Sequence, residues 1–340
     1  MVSCIFAYGI TNIFMDSVPS HVYDPALGKF TRSPNTYIRW RQEGWATTFV
    51  GKYNALAIKD IDKNRLPKIA IWGDSVVEAL QVPDKNKMAQ QLSDMFAQTG
   101  HLVLGFAIAH SENSLADYIV DLRKYEALIP KIASHYIVMC DLKDDTLPNR
   151  NIRTGRSEFV YDNGFRLIES ENRVRYQHLY NQLGKYNLRM ASYFFGKVTR
   201  YQVRLPWNRQ KTVNTNKSIK EPAYNKLEAW DFILGELRKQ SSKHITFLYI
   251  PYRPAILGGK VSFEDPQRED KELFAGLCRR HKIGFIDLAE RFNDFFRMTN
   301  KFPTGFANTF PGRGHLNVDG HRIVAEAIFS NELSGCSINQ

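Results

Sequence analysis

Short apolar runs alternate with amphipathic stretches in two parts of this chain, and that alternation predicts most of its architecture. A run over 69–72 (Ile-Ala-Ile-Trp) has the length of a buried strand and stops at Gly73-Asp74-Ser75, before a helical pattern begins. Within 84–99, Met88, Leu92, Met95 and Phe96 recur at helical spacing, and Gly100 follows as a stop. A second strand is expected over 102–109. A second helix over 114–129 places Leu115, Tyr118, Ile119, Leu122 and Tyr125 on one face, and a third strand runs over 136–140. The rhythm resumes with a helix over 227–240, a strand over 245–250, a helix over 271–281 and a strand over 283–287. A polar and aromatic connection over 293–313 then leads to a last helix over 319–331. Strands alternating with helices predict an α/β fold: a three-layer, flavodoxin-like, doubly wound parallel sheet of about five strands.

Two segments fall outside the rhythm. Residues 1–66 form a preface densely punctuated by Gly, Pro and Asn, which reads as turns and short extended pieces laid over the body. Its start, 2–15, is uncharged and apolar but shorter than the roughly 20 residues of a membrane-spanning helix. It reads either as the end of a shortened membrane anchor or as a buried first element. The second segment, 149–226, interrupts the α/β domain of 67–340.

Charge sharpens that division. The 340 residues carry a net charge of +11, and 149–226 alone holds 16 Lys/Arg against 5 Asp/Glu, with Tyr176, Tyr180, Tyr193, Phe194 and Trp207 among them. A helix is expected over 176–197 and a loop over 208–221. A localised positive field with interleaved aromatics is compatible with a glycan, a membrane surface or nucleic acid, or with a solvated cap packed on the body. No nucleic-acid motif accompanies it, so that partner ranks last. The four cysteines, Cys4, Cys140, Cys278 and Cys336, form no disulfide framework or metal pattern, and no nucleotide loop or other cofactor site is apparent.

The candidate chemistry lies at the strand ends. Ser75 follows a strand and opens a helix, the edge of an open α/β sheet where ligands bind. A bland reading competes: Ser75-Val-Val-Glu78 also fits a capping box. A nucleophilic serine needs a base, and His315 in Gly314-His-Leu-Asn317, after the fifth strand, returns to the same rim. Gly312 and Gly314 free the backbone to bring that imidazole inward. His321 reads as a cap or surface residue of the last helix.

With Gly73-Asp-Ser75 and Gly314-His315-Leu-Asn317 in this order, the sequence resembles the SGNH (GDSL-like) hydrolase superfamily, over about 67–145 and 227–332. The preface motif Tyr23-Asp-Pro-Ala-Leu-Gly28 and the ending Gly305-Phe-Ala-Asn308 look like members associated with bacterial exopolysaccharide. The resemblance implies a serine-dependent esterase or O-acetyltransferase acting on an acylated carbohydrate or polysaccharide. Ser75 would be the nucleophile, His315 the base, and the Ser75 N–H an oxyanion donor. It also implies a cell-envelope or periplasmic location, with a cytoplasmic one as the alternative.

Two departures stand out. Cys140 falls where the family's oxyanion asparagine belongs, and Gly312 falls where its orienting aspartate belongs. Gly105, Asn113 and Asn308 are the candidate replacement donors, and Asp287 the candidate orienter; a backbone carbonyl near Phe310 or Pro311 would serve a Ser–His dyad. The alternative is a catalytically degenerate polysaccharide-binding or assembly protein.

Overall fold

In a computed structural model, the structure describes residues 16–17, 21–111, 113–142, 146, 157–161, 164–168 and 224–335. The apolar start over 2–15, the expected helix over 176–197 and the loop over 208–221 lie outside the described residues. So does most of the basic segment, of which the hairpin of β9 (Glu158–Tyr161) and β10 (Phe165–Ile168) is described.

The central sheet overturns the expectation of about five parallel strands: it has eight, of mixed orientation. Five run parallel: β6 (Lys68–Gly73), β7 (Leu104–Ala109), β8 (Ile132–Met139), β11 (His244–Tyr249) and β14 (Gly284–Asp287). The preface supplies the other three: β3 (Thr36–Trp40), β4 (Ala46–Val50) and β5 (Ala55–Leu56). In space the order is β14-β11-β8-β6-β7-β5-β4-β3, with β5 antiparallel to β7. The preface thus covers the β7 edge, whose backbone groups would otherwise lie unpaired. Its strands follow period-2 chemistry; in Ala46-Thr-Thr-Phe-Val50 the first, third and fifth residues are buried. A separate hairpin pairs β1 (His21–Asp24) with β2 (Lys29–Arg32), and β12 (Ala255–Leu257) pairs with β13 (Lys260–Ser262).

Side chains alternate across the sheet into two cores. Ala70 and Trp72 of β6 pack with α3 (Leu115–Leu128), α4 (Lys226–Gln240) and α5 (Arg268–Arg280). Ile69 and Ile71 pack on the opposite face with α1 (Ser75–Glu78), α2 (Met88–Gln98), α6 (Ala289–Thr299) and α7 (Val318–Gly335). Helix α6 occupies part of the expected polar connection: Ala289, Phe292 and Phe295 are buried at helical spacing. No helix of the described residues is long and apolar enough to cross a membrane.

His321 is buried rather than on the surface. Its Nδ1 accepts the Met88 N–H at 3.3 Å, joining α7 to the start of α2.

Candidate active site

Gly73 ends β6, and a Cβ there would meet the Val77 side chain at 2.2 Å, so the glycine lets the first turn of α1 fold back against the strand. The cap of α1 is Asp74, not Ser75: the Asp74 carboxylate accepts the Val76 N–H at 2.9 Å. Burial raises the Asp74 pKa. The capping-box reading therefore fails, and the Ser75 hydroxyl is not spent on the helix. Glu78 does not cap either. Fully buried, it pairs with Arg32 of β2 and accepts the Ser111 hydroxyl at 2.5 Å.

His315 lies between β14 and α7, in a segment braced from both sides. Gly305 donates to the His315 carbonyl at 3.0 Å, and Asn317 donates to the Phe302 carbonyl at 2.7 Å while accepting the Asp319 N–H at 3.0 Å. Gly314 has φ +81°, and a Cβ on it would strike Glu43 Oε1 at 2.3 Å. Glycine is required there for both reasons.

These elements bring His315 Nε2 to 3.0 Å from Ser75 Oγ. The other ring nitrogen, Nδ1, lies 2.5 Å from Glu43 Oε2, and Glu43 Oε1 accepts the His315 backbone N–H at 2.9 Å. Glu43 sits in the bend joining β3 to β4 and also takes a hydrogen bond from the Gln81 side chain. Burial pushes its pKa up, but the hydrogen bonds and charge of His315 together with the Gln81 hydrogen bond outweigh that and leave it below the ordinary carboxylate value. An ionised carboxylate only accepts, so Nδ1 carries the imidazole proton and Nε2 presents a lone pair to Ser75. Ser75, His315 and Glu43 thus form a relay able to draw the proton from a serine hydroxyl.

The other candidates are distributed differently. Asp287, expected as the orienter, belongs to another network: its carboxylate pairs with Lys271 at 2.6 Å and caps Ala289 N–H at 2.9 Å. Gly105 is not an oxyanion donor. It pairs with Ile69, four residues before the Gly73–Ala109 pair at the Ser75 end, about 13 Å along the strand. Its N–H donates to Ser93 Oγ at 2.9 Å, and a Cβ there would meet the Ala89 carbonyl oxygen at 2.6 Å. It is a glycine of strand–helix packing. Asn308 is committed too: its Oδ1 accepts Gly44 N–H at 2.8 Å and its Nδ2 donates to the Gly44 carbonyl at 3.1 Å. Asn113 follows β7 at the Ser75 end of the sheet, in a turn closed by its N–H to the His110 carbonyl at 3.0 Å. Cys140, directly after β8, is buried.

Glu43 was absent from the sequence-based candidates. A signal existed in its place between two alternating runs, Thr36-Tyr-Ile-Arg-Trp40 and Ala46-Thr-Thr-Phe-Val50, which put a carboxylate at the tip of a hairpin.

No family model and no curated protein sequence matches the chain. Solved structures do. A lipase/acylhydrolase from Enterococcus faecalis is 15% identical, with a TM-score of 0.42, over 81% of this chain and 100% of its own. The acetyl xylan esterase AlAXEase is 13% identical, with a TM-score of 0.38, over 78% of this chain and 98% of its own. LAE5, an alpha/beta hydrolase enzyme from the metagenome of Lake Arreo, Spain, is 15% identical, with a TM-score of 0.37, over 79% of this chain and 95% of its own. None of these descriptions names the SGNH superfamily, and the orienting carboxylate comes from before the nucleophile rather than from just before His315. These findings overturn the expected membership in the SGNH superfamily.

Proposed function

We propose that this protein is a serine-dependent acyl-ester hydrolase whose substrate is an O-acylated carbohydrate. The observation that carries the reading is the contact of His315 Nε2 with Ser75 Oγ at 3.0 Å while Nδ1 is engaged by Glu43. In this reading Ser75 Oγ attacks the ester carbonyl carbon as Nε2 takes its proton. The imidazolium that forms is stabilised by the Glu43 carboxylate beside it, which stays ionised through the cycle. Nε2 then returns the proton to the departing sugar oxygen, leaving the acyl group on Ser75. Water, activated by the same nitrogen, releases the acid and restores the serine; a second sugar hydroxyl in its place would complete a transfer.

The developing oxyanion needs donors at the Ser75 end of the sheet. The Ser75 N–H at the start of α1 and the Asn113 side chain after β7 are assigned that role. The carbohydrate part draws on the acetyl xylan esterase among the similar structures and on the basic, aromatic character of 149–226. Of the two departures that favour the non-catalytic alternative, the Gly312 one is weakened by the Glu43 carboxylate beside His315, while Cys140 in place of the asparagine still counts for it.

The test is labelling of the full chain with a fluorophosphonate serine probe, beside acetate release from acetylated oligosaccharides. Both signals are expected from the native protein and from neither Ser75→Ala nor His315→Ala, with folding preserved by circular dichroism. Labelling or acetate release that survives Ser75→Ala removes the mechanism.

A further inference from the structure

The two halves of the relay arrive from opposite ends of the chain, and something must fix their mutual position. The Glu43 bend, 41–45, links β3 to β4 and contains Gly44 at φ +65°. A Cβ on Gly44 would meet the Gln81 carbonyl oxygen at 2.3 Å, so the bend is pressed against the chain leaving α1. Asn308 approaches from the other side. Its carboxamide accepts from Gly44 N–H at 2.8 Å and donates to the carbonyls of Gly44 at 3.1 Å and Arg41 at 3.3 Å. Those three backbone groups flank Glu43 on both sides.

Asn308 is itself fixed to the His315 segment. The turn that holds it is closed by Thr309 N–H to the Phe306 carbonyl at 3.0 Å and by Phe306 N–H to Thr309 Oγ1 at 2.9 Å. The preceding residue of that turn, Gly305, donates to the His315 carbonyl at 3.0 Å. One side chain therefore ties the loop that carries the base to the loop that carries its carboxylate. A carboxamide suits this place because it offers a donor and an acceptor in one plane. Aspartate would keep the acceptor for Gly44 N–H but would turn lone pairs on two carbonyl oxygens.

We propose that Asn308 is a positioning residue of the relay, holding the 41–45 bend so that the Glu43 carboxylate meets His315. The proposal rests on the hydrolase reading for its kinetic consequence, but not for its geometry. Other holds limit the size of the effect: Asp16 accepts Arg41 N–H at 2.6 Å and the Gln42 side chain at 2.5 Å, so the bend keeps these anchors when Asn308 is removed.

The experiment compares the full chain with Asn308→Ala, Asn308→Asp, Glu43→Ala and the Glu43→Ala/Asn308→Ala double variant. Turnover of p-nitrophenyl acetate and the proton NMR signal of His315 Nδ1–H are both read. Asn308→Ala is expected to lower kcat by about ten- to hundredfold with KM within about twofold, the usual scale for a misplaced catalytic group. In the Glu43→Ala background the same change is expected to have almost no further effect, since its route of action is gone. The Nδ1–H signal is expected far downfield in the native protein and displaced in Asn308→Ala and in Glu43→Ala.

A native kcat with an unmoved proton signal in Asn308→Ala overturns the proposal, as does a loss that multiplies in the Glu43→Ala background. Should the alanine variant fail to fold, Asn308→Asp is judged by the same two criteria. If the native protein turns over no ester, the hydrolase reading fails by itself, while the Nδ1–H signal still decides the role of Asn308.

Discussion

Glu43 and His315 lie 272 residues apart in sequence, yet Glu43 holds the histidine by both carboxylate oxygens: Oε1 on the backbone N–H at 2.9 Å and Oε2 on Nδ1 at 2.5 Å. The two contacts fix both the position of the residue and the tautomer of its ring. Replacing Glu43 by Gln keeps the size of the side chain, but its amide can present a donor to Nδ1 and favour the wrong tautomer. The expected outcome is a fall in kcat of about 10²–10⁴, with KM for a small ester little changed, as for carboxylates of other serine relays. Steady-state kinetics on folded protein checks it. An activity within about threefold of native would show that the Glu43 contact is structural only.

Gly105 supplies the opposite case, a residue expected at the site that the fold places in the packing. Gly105→Ala puts a methyl group at 2.6 Å from the Ala89 carbonyl oxygen, on the helix packed against β7. Overpacking of this kind costs about 1–3 kcal/mol. The midpoint of chemical unfolding is expected to fall, while kcat of the folded fraction remains native. A large loss of kcat at unchanged stability would return Gly105 to the oxyanion role.

What was legible in the sequence follows from how local each signal is. Ser75 sits in a short motif at the end of an apolar run and His315 in one shortly before the last helix, and β6, β7, β8 and β11 announce themselves as continuous apolar segments because both faces are buried, while β14 at the sheet edge is half-buried. The preface strands were hidden by their turns. Gly28, Asn35 and Gly44, all at positive φ, mark tight reversals between strands; in sequence they give turns and short extended pieces, with no sign that three of those pieces join the central sheet. The partnership of Glu43 with His315 has no local spacing at all, since it exists only once β3 and β4 have joined the sheet. Asp74 shows the reverse error: its neighbour Ser75 looked like the cap, although either residue type can serve and only the fold selects between them.

The hairpin of β1 and β2 is tied to the nucleophile turn by the buried pair of Arg32 with Glu78, whose residues are 6% and 1% exposed. Burial raises the Glu78 pKa, and the charges of Arg32, His110 and Lys87 with the Ser111 hydrogen bond together more than offset this, so its carboxyl stays below the ordinary value. Arg32→Met would strand that carboxylate in the interior, and breaking such a pair from one side costs about 3–5 kcal/mol. Denaturant unfolding is expected to register this loss, and the double change Arg32→Met/Glu78→Gln to recover a large share of it. If the double variant is no more stable than Arg32→Met, the stranded charge is not the cause.

The acid side of the stability profile is assigned to His321. It is fully buried between α7 and α2, and burial first, then the positive charges of Lys87 and His315, lower its pKa from 6.5 to about 3. The folded protein therefore holds this ring neutral, while the unfolded chain protonates it as pH falls below 6.5. Between those values the unfolded state binds more protons, so stability rises with pH across the window and is lost as pH falls through it. One such group contributes a slope of about 1.4 kcal/mol per pH unit. His21, lowered to about 4 chiefly by burial, adds to the same trend over part of the window. His321→Gln keeps an acceptor for the Met88 N–H without the titration. Urea unfolding at several pH values between 7 and 4.5 is expected to show a steep decline in the native protein and a shallower one in the variant. Parallel declines would place the acid sensitivity on other groups.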